Sequence, residues 1–194
     1  VGAPALTGFS LAGMALTAAA GVCYALGAGR GLAWSLDPRA AAGAYLLLAG
    51  GFLVLASACD MLDGAVARLG HQKTPFGAFL DSTLDRFSDW AVYAGIAVGY
   101  AGATPANLTF VLLSMLAFFA AFLISYTRAR AEDLIDACKV GFWQRGERST
   151  AILAATFAHN LPALLVQQAL LPSLTALRRI FYTRGVLAGR KPAG

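Results

Sequence analysis

Charge is what this chain has least of. Only 13% of its 194 residues are Asp, Glu, Lys or Arg, while 58% are hydrophobic and the mean hydropathy is +0.65. A soluble domain carries roughly 25% charge, so a water-exposed fold is excluded and an integral membrane protein is expected. Cysteine is nearly absent too: Cys23, Cys59 and Cys138 lie far apart and make no CxxC pair. That excludes a disulfide framework and a thiolate zinc site. Of the two histidines, His159 has no second His or Cys nearby and reads as a capping or interfacial residue. The net charge of +5 would suit nucleic acid in a polar chain. In one this apolar it suits anionic headgroups and membrane anchoring, and no nucleic-acid partner is expected.

What the chain has in quantity is long apolar runs. A membrane-spanning helix needs about 20 such residues, and the pattern predicts an all-α, polytopic protein with six transmembrane helices, one domain over 1–194. Helix 1 is expected from Pro4 to Leu26, and helix 2 from Arg39 to Leu69. After a polar turn, His71 to Pro75, helix 3 runs from Phe76 to Tyr100. Helix 4 follows the uncharged turn ending at Asn107 and reaches Arg130. Ala131 to Gln144 mixes acids with Lys139, Phe142 and Trp143 and reads as an interfacial elbow between helices 4 and 5. A short helix 5 from Arg145 to His159 stops at Asn160-Leu-Pro162, and helix 6 continues to Arg184. The chain opens on Val1 rather than Met, which leaves room for residues upstream.

Loop charge sets the expected orientation. Arg68, Lys73, Arg128, Arg130, Lys139, Arg145, Arg148, Arg178, Arg179, Arg184, Arg190 and Lys191 all fall on one side of a six-helix arrangement. The other side has Arg30 and Arg39, opposed by Asp37. Both termini and the acidic segment are therefore expected in the cytoplasm. Trp34, Trp90 and Trp143 read as packing or interface anchors. Phe118, Phe119 and Phe122 face lipid or an acyl tail, and Gly95-x-x-x-Gly99 offers close helix packing within or between subunits.

Against this background four carboxylates stand out, spaced Asp60-x-x-Asp63-Gly64-x-x-Ala67-Arg68, then Gly77-x-x-x-Asp81-x-x-x-Asp85. An acid in a membrane helix costs about 2.5–3.5 kcal/mol on insertion scales, so four together imply cations that offset the cost. At about 100° per residue, Asp60 and Asp63 share one helix face and Asp81 and Asp85 share another. A short polar turn lets the two pairs converge. An all-oxygen set suits Mg²⁺ or Mn²⁺, and four acids suggest two ions, as in phosphoryl displacement. Gly64 and Ala67 leave space beside the acids, and Arg68 can fork a phosphate. Thr74 and Gly77 lie at a helix start, where N–H groups favour anions. The bland alternative is a structural charge network with Arg68, Arg86 and Arg128.

This segment matches, without a departure, the signature of the CDP-alcohol phosphotransferase family, and the chain resembles that family in its helices and its Pro4-to-Thr7 opening. The resemblance implies that an alcohol attacks a CDP-linked lipid, usually CDP-diacylglycerol, and CMP leaves. Carried over by position, Asp60, Asp63 and Asp81 are metal ligands, and Asp85 is the base and a further metal contact. Asp60, Gly64, Arg68, Thr74 and Gly77 line the CDP side. Asp89 continues the series but is expected to hydrogen-bond within the bundle. The resemblance also implies a homodimer among membrane lipids in a prokaryotic plasma membrane.

A narrower resemblance concerns the acceptor. Gly77 to Arg86, Ser125 to Glu132, Lys139-Val-Gly and Gly146-Glu-Arg-Ser149 are similar to the branch using inositol phosphate, the phosphatidylinositol-phosphate and archaetidylinositol-phosphate synthases. Arg128, Arg148 and Arg179, with Arg178 beside the last, have no acid in i+4 partnership on this reading. They are expected to hold the phosphate of a phosphorylated polyol. Glycerol 3-phosphate is the alternative acceptor, archaeol the alternative lipid, and a cation or solute carrier the alternative of another class.

Overall fold

The computed structural model describes residues 3–28, 43–69 and 74–189, and the regular elements among them are six helices. They are α1 (Ala3–Gly27), α2 (Gly43–Leu69), α3 (Pro75–Ala101), α4 (Leu108–Glu132), α5 (Arg145–Phe157) and α6 (Leu161–Leu187). Trp34, Arg30, Asp37, Arg39, Lys73, Arg190 and Lys191 lie outside the described residues. Local chemistry explains most of the starts. Thr74 caps α3, accepting from the Gly77 N–H at 3.0 Å, with Pro75 in the first turn. Asn107 and Asn160 cap α4 and α6 in the same way. In α5 the Glu147 carboxylate reaches back to the Gln144 N–H at 3.1 Å, completing a capping box. His159 ends that helix with φ +54°, and its ring Nδ1 lies 3.0 Å from the Phe157 carbonyl.

Helix α1 packs on α2 and α3, α4 packs on α3 and α6, and α5 bridges α2 to α6. Tyr24, Tyr93, Ile96, Phe110, Leu164 and Leu165 form the buried centre. The outer faces are apolar as well: Leu47, Leu55, Leu112, Phe119 and Phe181 are all exposed. A chain with this surface is a membrane protein. Gly8–Gly27, Ala44–Leu62 and Leu108–Glu132 are long and apolar enough to cross a bilayer. Helices α3 and α6 match them in length but carry charge. At 13 residues, α5 reaches only about 20 Å, against a hydrocarbon core of about 30 Å. Phe119 and Phe122 point outward, whereas Phe118 packs against the core. The three cysteines are free.

Between apolar helices in lipid, burial of oil against oil gives little, so close packing and interhelical hydrogen bonds hold the bundle. The Gly95/Gly99 pair does this inside the subunit. A Cβ at Gly95 would sit 2.1 Å from the Gly21 carbonyl oxygen of α1, and one at Gly99 would sit 2.6 Å from that of Tyr24. This face is therefore spent on α1, not left for a second copy. Hydrogen bonds add to it: the Ser114 hydroxyl donates to the Tyr93 carbonyl at 2.7 Å, and Tyr24 pairs with Thr156 of α5. The elbow between α4 and α5 is irregular and anchored by Gly141. Its φ of +106° is in the left-handed region, and a Cβ there would lie 2.2 Å from Thr175 of α6.

Replacing Gly95 by Leu must force α1 away from α3. The expected result is a large loss of thermal stability in detergent, with Gly51→Ala, where no atom lies within 4 Å of an added Cβ, nearly neutral as the control.

Candidate active site

The acids gather where α2, α3 and α5 meet. Helix α2 brings Asp60, the first turns of α3 bring Asp81 and Asp85, and the first turn of α5 brings Arg145. The arginine Nη2 lies 2.9 Å from Asp60 Oδ2 and 2.6 Å from Asp85 Oδ1, so one nitrogen joins carboxylates of two different helices. Arg86 stands 3.8 Å from both Asp85 and Asp89. One turn deeper, Arg148 Nη2 donates to Asp89 Oδ2 at 2.8 Å. Helix α1 passes close by: a Cβ on Gly13 would be in ordinary contact with Asp60 Oδ1, at 3.4 Å. Behind the acids a small polar cavity is lined by Thr17, Ser57, Ser88 and Ser149 together with Asp60, Asp89 and Arg145.

Burial alone would disfavour the Arg145 charge. Asp85, Asp60, Asp89 and Asp81 outweigh it, and its pKa stands above the ordinary arginine value. The electrostatic centre of the site is thus Arg145 among four carboxylates. Its partner Asp85 is nearly buried, at 13% side-chain exposure, while Arg145 itself is 40% exposed.

Not every expected residue enters this picture. Asp63, Gly64 and Arg68 belong to the last turns of α2, but their side chains lie outside the described residues. Among the described residues no three His, Cys, Asp or Glu side chains stand in metal-holding positions, and Arg145 lies between two of the acids. The donor chemistry still fits a hard divalent ion: the side chains offered are carboxylates, and two of them close on a single point. Thr74 takes up the Gly77 N–H in its cap, which removes that donor from any anion.

The arginines divide. Arg128 is bonded to Glu132 at 2.9 Å, an i+4 acid partner that the sequence reading had excluded, and it is partly exposed. Arg148 and Arg179 are each only 2% exposed. Arg179 donates from Nε to the Val140 carbonyl at 3.1 Å and from Nη1 to that of Ile124 at 2.6 Å, tying α6 to the elbow and α4. The charges of Arg128 and Arg148 both act on it. Arg178 is exposed, on another face of α6.

Sequence reasoning missed Arg145, which was read only as a loop charge. The signal was there. Arg145 and Arg148 have the same i+3 spacing that singled out Asp60 and Asp63, and share one face of α5.

The fold is an all-helical membrane bundle in which aspartates of two helices converge on an arginine of a third, and the comparisons give its class. The family model for CDP-alcohol phosphatidyltransferase matches residues 8–184. The chain belongs to that family and is a transferase. It is 41% identical over 146 residues to the archaetidylinositol phosphate synthase of Methanothermobacter thermautotrophicus, covering 72% of this chain and 68% of that one. Its fold is similar to that of the phosphatidylinositol phosphate synthase of Mycobacterium tuberculosis, solved with CDP-DAG bound. The TM-score is 0.67 at 24% identity, over 90% of this chain and 84% of that one. The same enzyme solved with manganese and citrate gives a TM-score of 0.66 at 24% identity, covering 89% and 80%.

The Arg148–Asp89 pair gives a structural prediction. Asp89→Asn leaves a buried guanidinium short of its carboxylate, which typically costs about 3–5 kcal/mol. The expected outcome is a marked drop in unfolding temperature, and less than additive loss when Arg148→Met is combined with it.

Proposed function

We propose that the chain transfers a phosphatidyl group from CDP-diacylglycerol, or its archaeol counterpart, to inositol 1-phosphate, giving phosphatidylinositol phosphate and CMP. The observation that carries the chemistry is the convergence of Asp60 and Asp85, from two helices, on a single cation position. Asp60, Asp63, Asp81 and Asp85 would hold Mg²⁺ or Mn²⁺, in a two-ion arrangement that neutralises the pyrophosphate and the departing CMP. Asp85 accepts the proton of the acceptor hydroxyl. The hydroxyl oxygen bonds the β-phosphorus, the bond from that phosphorus to the CMP oxygen breaks, and CMP carries off the electron pair. Asp60, Gly64, Arg68, Thr74 and Gly77 line the CDP side, with Thr74 and Gly77 acting through the shape of the helix start.

The acceptor side rests on a second feature. The charges of Arg128 and Arg148 disfavour that of buried Arg179, with Glu132 opposing them, and like charges gathered in a bundle are less costly when a further anion offsets them. Arg148 Nε is moreover a buried donor with no hydrogen-bond partner. A phosphate on the acceptor supplies both needs. Arg178, exposed, guides anions rather than binding them. The relative from Methanothermobacter thermautotrophicus favours inositol phosphate as the polyol.

All six helices lie in the plasma membrane of a prokaryote, with the short α5 near the cytoplasmic face, and residues 1–194 act as one domain. The site and both termini face the cytoplasm, where the soluble acceptor is found. Because Gly95 and Gly99 are taken up by α1, the homodimer uses another surface.

The test is CMP release by the purified protein with CDP-diacylglycerol and Mg²⁺, comparing inositol 1-phosphate, myo-inositol, glycerol 3-phosphate and serine. Release with inositol 1-phosphate alone is expected. Release with glycerol 3-phosphate instead would keep the mechanism and overturn the acceptor. Asp85→Asn should lower kcat by about 10²–10⁴, the usual worth of a general base. Arg148→Gln should act mainly on the KM for the phosphorylated acceptor.

A further inference from the structure

Arg145 poses a problem for any ion at this site. Its Nη2 occupies the point between Asp60 Oδ2 and Asp85 Oδ1, at 2.9 and 2.6 Å. A Mg²⁺–oxygen bond is about 2.0–2.1 Å, so an ion bridging these two oxygens and the guanidinium cannot share that place. Like charges at such distance would repel besides. We propose that Arg145 is a displaceable cation. It holds the two carboxylates together until a divalent ion arrives, and then gives up both and turns outward. The proposal rests on the metal-site reading above and deepens it.

Three features of the side chain suit that role. Asp85 is nearly buried, and Arg145 is its closest cation, at 2.6 Å against 3.8 Å for Arg86; losing that partner without a replacement is destabilising. Arg145 is the first residue of α5, where a long side chain can swing without disturbing the helix behind it. It is also 40% exposed, so its outward path is open, whereas Arg148, one turn on, is 2% exposed and fixed on Asp89. The two arginines on one face of α5 are therefore a movable cation and a fixed one. The gain is stability of the metal-free protein: the carboxylates of α2 and α3 are kept paired with a cation until the ion takes its place.

The experiment uses the full chain in detergent and Mn²⁺ as the probe. Two readouts are followed, free Mn²⁺ by electron paramagnetic resonance and the unfolding temperature with and without saturating Mn²⁺. Arg145→Gln is compared with wild type and with Arg86→Gln, which removes an equal charge 3.8 Å from Asp85. For Arg145→Gln, Mn²⁺ should bind roughly tenfold tighter, about one charge-assisted hydrogen bond no longer to be broken. The unfolding temperature should drop without Mn²⁺ and return to the wild-type value with it. Equal tightening in Arg86→Gln would mean that charge alone is responsible, and would overturn the exchange. So would a stability loss that persists with Mn²⁺ bound, the mark of a permanent structural tie. Wild-type protein gives an answer without any variant: phenylglyoxal labelling of Arg145, mapped by mass spectrometry, should rise as Mn²⁺ saturates. A fall would overturn the proposal. Failure of wild type to bind Mn²⁺ at all would instead sink the metal site itself.

Discussion

A carboxylate carried on a membrane helix needs a cation or a proton beside it, because in a low-dielectric bundle an unpaired charge is costly. Here that requirement is met by arginines drawn from α5, not by residues of the acid-bearing helices alone. Arg145 joins Asp60 of α2 to Asp85 of α3, and Arg148 takes Asp89. The short helix is thereby held against the other two by charge as well as by shape. Phe157 adds to this from its far end, since the ring lies where a Cβ on Gly50 of α2 would be, at 2.7 Å.

Such pairing works only if the helices are set at the right distance, and glycines set it. The Gly21 and Gly95 backbones meet with no side chain between them, and α1 passes beside Asp60 at Gly13. Hydrophobic burial cannot fix these distances in lipid, because the surroundings are as apolar as the interface. Backbone contact can. The geometry of a charged site thus depends on residues that carry no chemistry, one or two turns away along α1.

The helices were readable from the sequence to within a residue or two for α3 and α4, since long apolar runs and strong caps such as Thr74 and Asn107 mark their ends. The acidic segment was readable for the same reason: charge is so scarce in this chain that each acid is informative. Partnerships were not. That Arg145 would reach back to Asp60 across 85 residues depends on how α5 docks, and periodicity holds no record of docking. The Arg128–Glu132 pair, by contrast, is an i+4 spacing within α4 that the sequence does carry. The use of Gly95 and Gly99 was ambiguous for a related reason: a small-residue stripe specifies close approach but not the partner. Only the position of α1 decides it.

The arginines show most clearly why composition could not assign roles. In this chain, positive charge at helix ends is expected from membrane orientation alone, so every arginine has a ready explanation that needs no site. What separates them is burial and the kind of acceptor. Arg178 is exposed and Arg130 pairs with Asp133 at the surface, as anchors would. Arg179 is buried yet bonds backbone carbonyls, which hold its position without cancelling its charge. A guanidinium left cationic in that way keeps its full attraction for an anion, whereas one neutralised by a carboxylate has lost most of it. Arg148 lies between the two cases, paired with Asp89 through Nη2 but with Nε unused. Fixed cations of this sort need no reorganisation when a phosphate arrives, which is the condition for electrostatic stabilisation to be strong. By burial and bonding, then, Arg148 and Arg179 are the fixed cations of the bundle, while Arg145, half-exposed at the start of α5, is the one placed to move.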